Sequence, residues 1–293
     1  MDNTEISWTD ATWNVLRGCS RVSEGCRNCY AERMAARFSG PGMPYEGLAV
    51  MRQRAVTGFH PTGVVSEPRW TGAVRFVRDK LEQPLRWRRP RRIFVNSMSD
   101  LFHEKVGDSV IWQIFNVMRR AHWHTFQVLT KRPERMVSWF SEIRETIFQG
   151  KIEWPLPNVW LGVSAEDQKT WDMRTELLRK VPAAVRFVSL EPQLAEVVAA
   201  PGTLASLDWV IIGGESGPYA RPYHVDWARG MVQACLKANV APFVKQLGAN
   251  PLYELGHGDG MEPLGLKNKK GSDMAEWPAD LRVQQFPRQA VPA

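Results

Sequence analysis

Short apolar runs alternate with amphipathic stretches along most of the chain, the pattern of successive β/α units. Arg92-Ile93-Phe94-Val95-Asn96 reads as a buried strand. After an Asp108-Ser109 start, Val110, Ile111, Ile114, Phe115, Val117 and Met118 keep the helical period. Thr125-Phe126-Gln127-Val128-Leu129-Thr130 is the next strand, and Pro133 opens a helix with Met136, Val137, Phe140, Ile143 and Ile147 on its apolar face. Val159-Trp160-Leu161-Gly162-Val163 leads to a helix through Trp171, Arg174, Leu177 and Leu178, and Val185 to Leu190 is a further strand. Trp209-Val210-Ile211-Ile212 leads to a helix carrying Trp227, Met231, Ala234, Cys235 and Ala238, and Pro242-Phe243-Val244 ends the series. With an opening strand near Ile6 to Trp13, about seven β/α strands are expected, one short of a closed barrel.

Two regions break the rhythm: Ser39 to Arg75, rich in Gly and Pro, and the tail from Asn250, with Gly256, Gly258, Gly260, Gly265 and Gly271. Both read as lids or wrapping segments. The organisation expected is one barrel-like domain over 1–249, containing a cysteine loop at 19–29 and an insert at 39–75, with 250–293 as an extension packed on it.

Polar residues recur after the strands. They are Asn96, Ser97, Ser99 and Asp100; Thr130, Lys131 and Arg132; Ser164, Glu166 and Asp167; Ser189, Glu191 and Pro192; Gly213-Gly214-Glu215-Ser216-Gly217; and Lys245 with Gln246. Parallel β/α folds bind ligands at the carboxyl ends of their strands. Asp108, Asp167 and Asp226 are accounted for as helix caps. Lys131, Glu191, Glu215 and Lys245 are not, because charges on inward-facing strand ends are costly without partners or ligands.

The 293 residues, 44% hydrophobic and 24% charged, have ordinary globular composition. No apolar run reaches a membrane span, and the opening Met1-Asp2-Asn3-Thr4-Glu5 lacks the basic and apolar regions of a signal peptide, so a cytoplasmic protein without membrane partners is expected. The net charge of +7 permits an anionic partner such as nucleic acid. The densest basic stretch, Arg86-Trp87-Arg88-Arg89-Pro90-Arg91-Arg92, precedes a strand and reads as a solvated loop on the face opposite the site.

Three of the four cysteines form Cys19-x6-Cys26-x2-Cys29, directly after the first strand. A structural zinc site would take a fourth ligand. Cys235 falls on an apolar helix face and reads as core, and none of His60, His103, His122, His124, His224 or His257 stands at a zinc-finger interval. Three thiolates with an open position suit a [4Fe–4S] cluster.

The three-cysteine loop after strand one and the β/α units behind it resemble the radical S-adenosylmethionine enzymes. More closely, six elements resemble a phage- and bacteria-encoded three-Cys-motif family: Trp8-Thr9-Asp10 through Trp13-Asn14, Cys29-Tyr30-Ala31-Glu32, Ser97-Met98-Ser99-Asp100-Leu101-Phe102, Leu129-Thr130-Lys131-Arg132-Pro133, Gly213-Gly214-Glu215-Ser216-Gly217 and Trp277-Pro278. The sequence departs from the common radical-enzyme pattern in having six residues between the first two cysteines, Asn28 rather than an aromatic before Cys29, and its Gly-Gly-Glu element after strand six.

The resemblance implies an α/β fold, an incomplete (β/α) barrel of the radical-SAM type. It implies an enzyme using a [4Fe–4S] cluster on Cys19, Cys26 and Cys29, S-adenosyl-L-methionine and an external electron donor. Ser97, Ser99 and Asp100 would meet the methionine end, and Lys131 or Ser164 the carboxylate or ribose. Glu191, Glu215 and Lys245 would face the substrate, for which nucleic acid is one class the charge allows. The competing readings are a non-catalytic nucleic-acid-binding protein with a structural zinc or iron–sulfur centre, and an inactive barrel retaining the cluster for electron transfer. Tryptophan can stack on bases, but Trp112, Trp171 and Trp227 stand at helical core spacing.

Overall fold

The computed structural model describes residues 4–55, 64–143, 154–254 and 260–288, so the expected apolar position Ile147 lies outside the described residues. Seven strands form one sheet: β1 (Ala11–Trp13), β2 (Arg92–Val95), β3 (Thr125–Thr130), β4 (Val159–Ala165), β5 (Val185–Leu190), β6 (Trp209–Gly213) and β7 (Ala241–Gln246). Each pairs in parallel with the next in chain order. Among the described residues β1 and β7 do not pair with each other, so the sheet is a curled half-barrel rather than a closed one. The helices are α1 (Tyr30–Arg37), α2 (Asp108–Arg120), α3 (Pro133–Ile143), α4 (Gln168–Arg179), the four-residue α5 (Pro201–Leu204) and α6 (Val225–Lys237).

Strand alternation divides the apolar residues into two cores. Ile93, Val95, Phe126, Val128, Leu161, Val163, Val188, Leu190, Val210, Ile212 and Val244 meet the apolar stripes of the helices. Cys235 lies fully buried on α6 in that layer, as do Trp139 and Trp171 from α3 and α4. The alternate positions Phe94, Trp160, Phe187, Trp209 and Phe243 join Trp8 in a second, largely aromatic core inside the half-barrel. Gly162 belongs to this inner register. A Cβ there would stand 2.6 Å from the Phe187 ring, so the ring occupies the space a side chain would need.

The opening strand is shorter than its apolar pattern suggests. Only Ala11–Trp13 pairs with β2, while Thr9 N–H donates to Ile6 O across a turn. Beside the backbone bond from Asp10 N–H to Arg92 O, polar side chains fasten this segment: Thr9 Oγ1 donates to Arg92 O and Asp10 Oδ2 accepts from Arg92 N. The turn delivers Trp8 to the inner core.

Part of the Gly/Pro-rich insert is an antiparallel hairpin, Ala49–Ala55 with Val64–Trp70. The tail lines the open edge. Val244 N–H donates to Val283 O, Phe243 pairs with Gln284, and Phe286 packs on Trp209 and Phe243, covering an edge strand that would otherwise expose its backbone groups. No helix among the described residues is long and apolar enough to cross a membrane.

Two glycine replacements should act in opposite directions. Gly162→Ala crowds the Phe187 ring and should destabilise by about 1–3 kcal/mol. Gly230→Ala places a methyl in open space on α6 and should stabilise by about 0.5–1 kcal/mol. The shift of the urea unfolding midpoint at constant slope measures both.

Candidate functional site

The inward register that lays down the aromatic layer continues into polar residues at the carboxyl ends of the strands. Phe94 is followed on the same face by Asn96, Leu129 by Lys131, Trp160 and Gly162 by Ser164, Phe187 by Ser189 and Glu191, and Phe243 by Lys245. These residues surround a cavity of about 240 Å³ whose lower wall includes Trp8, Phe94 and Leu129. Cys19, Cys26, Cys29, Ser97, Ser99, Asp100, Lys131, Ser164, Glu191, Glu215 and Lys245, scattered over more than two hundred positions of sequence, all line it.

The charges on this rim find the partners they require within the protein itself. Lys245 Nζ donates to both Glu191 oxygens at 2.7 and 2.9 Å, and Gln246 Nε2 to Oε1 at 2.8 Å. Lys131 lies 3.1 Å from Glu166, which also accepts from Ser23 Oγ at 2.7 Å and from the buried Arg174. Burial alone would raise the Glu166 pKa, but Lys131 and Arg174 outweigh it and hold the carboxyl at about 2. Glu215 accepts from Asn28 Nδ2 and from the backbone and guanidinium of Arg221, and these bonds overcome its burial to keep its pKa below the usual carboxylate range. Asp100 accepts from Phe102 N, Thr130 Oγ1, Lys131 N and Arg132 Nη1, so it braces the loop after β2 against the loop after β3.

The cysteine loop is attached through these same groups. Cys26 ends a short 3₁₀ turn, and Cys29 stands immediately before α1. Gly25 passes so close to Glu166 that a Cβ would collide with the carboxylate. Arg132 Nη1 lies 3.8 Å from Cys19 Sγ while its Nη2 donates to Ser20 O and Oγ. Burial pushes the Cys19 thiol up to about 12, with Asp100 adding to the effect. Burial also raises Cys29, and the neighbouring Cys26 raises it further. Among the described residues, no three His, Cys, Asp or Glu side chains converge to hold a single metal ion.

Sequence reading did not single out Asn28, Arg174 or Arg221. Arg174 stood among helix-face positions, and its partner Glu166 is on the preceding loop, eight residues away, so the pair had only a local signal. Asn28 meets Glu215 across 187 positions, with no local signal at all. Three residues lining the cavity carry buried polar atoms without a protein partner: Trp8 Nε1, Asn96 Nδ2 and Ser99 Oγ. Leu16 N–H donates to Asn96 Oδ1, which leaves the amide nitrogen as the open group, and Asn96 has the left-handed φ of 62° at its strand end.

Glu166 should leave a mark on acid stability. Its folded pKa lies below the ordinary glutamate value of 4.5, so its contribution is complete above about 4.5 and is lost as pH falls through about 2, with a size on the order of 3 kcal/mol. Urea unfolding between these pH values should be steeply pH-dependent in the natural chain and shallower in Glu166→Gln, which should also lose stability at neutral pH by leaving Lys131 and Arg174 without their anion.

No curated protein and no solved structure matches the chain. A family described as protein of unknown function (DUF5131) matches residues 3–273, spanning the cysteine loop, all seven strands and the cavity they enclose, and the chain belongs to that family.

Proposed function

We propose that the protein is a radical S-adenosylmethionine-type iron–sulfur enzyme, with a [4Fe–4S] cluster on Cys19, Cys26 and Cys29. The observation that carries this reading is the placement of three thiols, on the loop after β1 of a parallel half-barrel, in the same cavity as the carboxyl ends of the strands. The donor set fits such a group. The three cysteines line one cavity. The Cys19 sulfur faces a hydrogen-bond donor, the Arg132 guanidinium. Cys235, sealed in the helix-side core, is not available as a fourth ligand. When bound, the cluster would supply one-electron chemistry for reductive cleavage of S-adenosylmethionine, using an electron from an external donor.

In this reading the chain's own residues bind, orient and exclude water. Ser97, Ser99 and the open amide of Asn96 would meet the methionine end, with Asp100 holding their loop in place. Lys131 or Ser164, both lining the cavity, would meet the carboxylate or ribose. The Glu191–Lys245 and Glu215–Arg221 pairs would face the substrate as preformed dipoles, and Trp8 and Phe94 close the inner wall against water.

Anaerobic reconstitution with iron and sulfide should give about four irons per chain and broad visible absorbance. Cys19→Ala, Cys26→Ala and Cys29→Ala should each lose that absorbance, while Cys235→Ala keeps it. With a reductant, the loaded chain should release deoxyadenosine from S-adenosylmethionine. Stoichiometric zinc without iron would replace this reading with a structural-zinc one. Ser99→Ala should retain the cluster and weaken S-adenosylmethionine binding about three- to tenfold, measured by equilibrium dialysis.

A further inference from the structure

The mouth of the cavity carries a surface that the cluster and its ligand do not explain. Between residues 17 and 75 the sequence has nine arginines, no lysine and four glutamates, so this stretch supplies most of the protein's excess of +7. Within it stand the cysteine loop and α1, next to the opening. Tyr219, on the loop after β6, meets the cysteine loop through its carbonyl, and the residue is 88% exposed. That exposure is built in. The backbone of Tyr219 has φ 66°, a conformation costly for a bulky residue, and two bonds hold its loop: Asn28 Nδ2 donates to Tyr219 O, and Arg221 Nη2 to Glu24 O. Asn28 lies between two of the cysteines. Tyr30, one residue past Cys29, lines the cavity, is 45% exposed as a residue and is tethered by its hydroxyl to Ser97 O.

We propose that this rim binds a single-stranded nucleic acid, which lies across the mouth of the cavity with unpaired bases stacked on Tyr219 and Tyr30. The inference deepens the enzyme reading by naming its substrate class, and it rests on that reading only for what happens inside the cavity. Arginine without lysine suits phosphates and base faces together, because the planar guanidinium both pairs with phosphate and stacks. Exposed Arg27 and Arg52 supply backbone contacts on the cysteine-loop and hairpin sides. A tethered aromatic ring open to solvent is a platform for any base not already stacked in a duplex, which selects single strands. An acidic protein surface would use the arginines but would leave a lone strained tyrosine without purpose.

The test uses the full, cluster-reconstituted chain and fluorescein-labelled strands of about 20 nucleotides, as DNA, as RNA and as duplex, with affinity read from anisotropy between about 50 and about 200 mM salt. Single strands should bind at least about tenfold more tightly than duplex. The tighter of the DNA and RNA arms identifies the source. Tyr219→Ala should weaken binding about five- to hundredfold with the salt slope unchanged, and Tyr219→Phe should restore it. Arg27→Ala and Arg52→Ala should each lower the slope by about 0.7. Absence of binding at low salt, equal affinity for duplex, or Tyr219→Ala and both arginine variants all binding like the natural chain would overturn the proposal. Binding is read without S-adenosylmethionine. Deoxyadenosine release by a chain that binds no strand therefore rejects this inference alone, and strand binding by a chain that takes up zinc and no iron rejects the enzyme reading alone.

Discussion

A carboxylate taken out of water must be matched by a cation or by several hydrogen bonds, and much of the rim of this half-barrel follows from that requirement. Glu166, 1% exposed, draws Lys131 from the loop after β3, Arg174 from α4 and Ser23 from the cysteine loop to one point. Glu215 draws Asn28 and Arg221; buried Glu32 draws Arg21 and the Trp70 amide; Asp100 draws Arg132, which also reaches Cys19 and Ser20. Each pairing joins two or three separate segments. Together they hang the cysteine loop, which has only a short 3₁₀ turn of its own, on the rigid sheet. A loop held in this way keeps three thiols in one place without needing a core beneath it, the kind of preorganisation a cofactor site requires.

The parallel half-barrel was legible because it is written locally. A buried strand of four to seven residues and an amphipathic helix each show within one window, and strand order follows chain order here, so no long-range choice had to be made. The site positions were legible for the same reason, since Asn96, Lys131, Ser164, Glu191 and Lys245 continue the inward alternation of their own strands. What joins them was not. Ser23 and Glu166 are 143 positions apart, and nothing near either residue announces the other. The charges therefore looked unbalanced in sequence while being balanced in space. The opening segment misled in the opposite way: the run from Ile6 to Trp13 has strand character, yet Thr9 and Asp10 fasten it by side chains and turn Trp8 inward. The hairpin from Ala49 to Trp70 was hidden by the Gly and Pro content of the insert around it.

The closed network also bears on what the cavity can take. Once the rim acids are satisfied by their own bases, their lone pairs are largely committed within the protein. The polar atoms left open on cavity-lining residues are of the other kind. The Trp8 indole and the Asn96 amide nitrogen are donors only, and Ser99 Oγ acts in either sense. A buried donor without a partner costs on the order of 1–3 kcal/mol, a cost that a ligand bringing acceptors removes on binding. The complement of these open donors is a ligand that brings acceptors, set against the aromatic wall of Trp8 and Phe94. The ion pairs then serve to keep the acidic side chains from repelling that ligand.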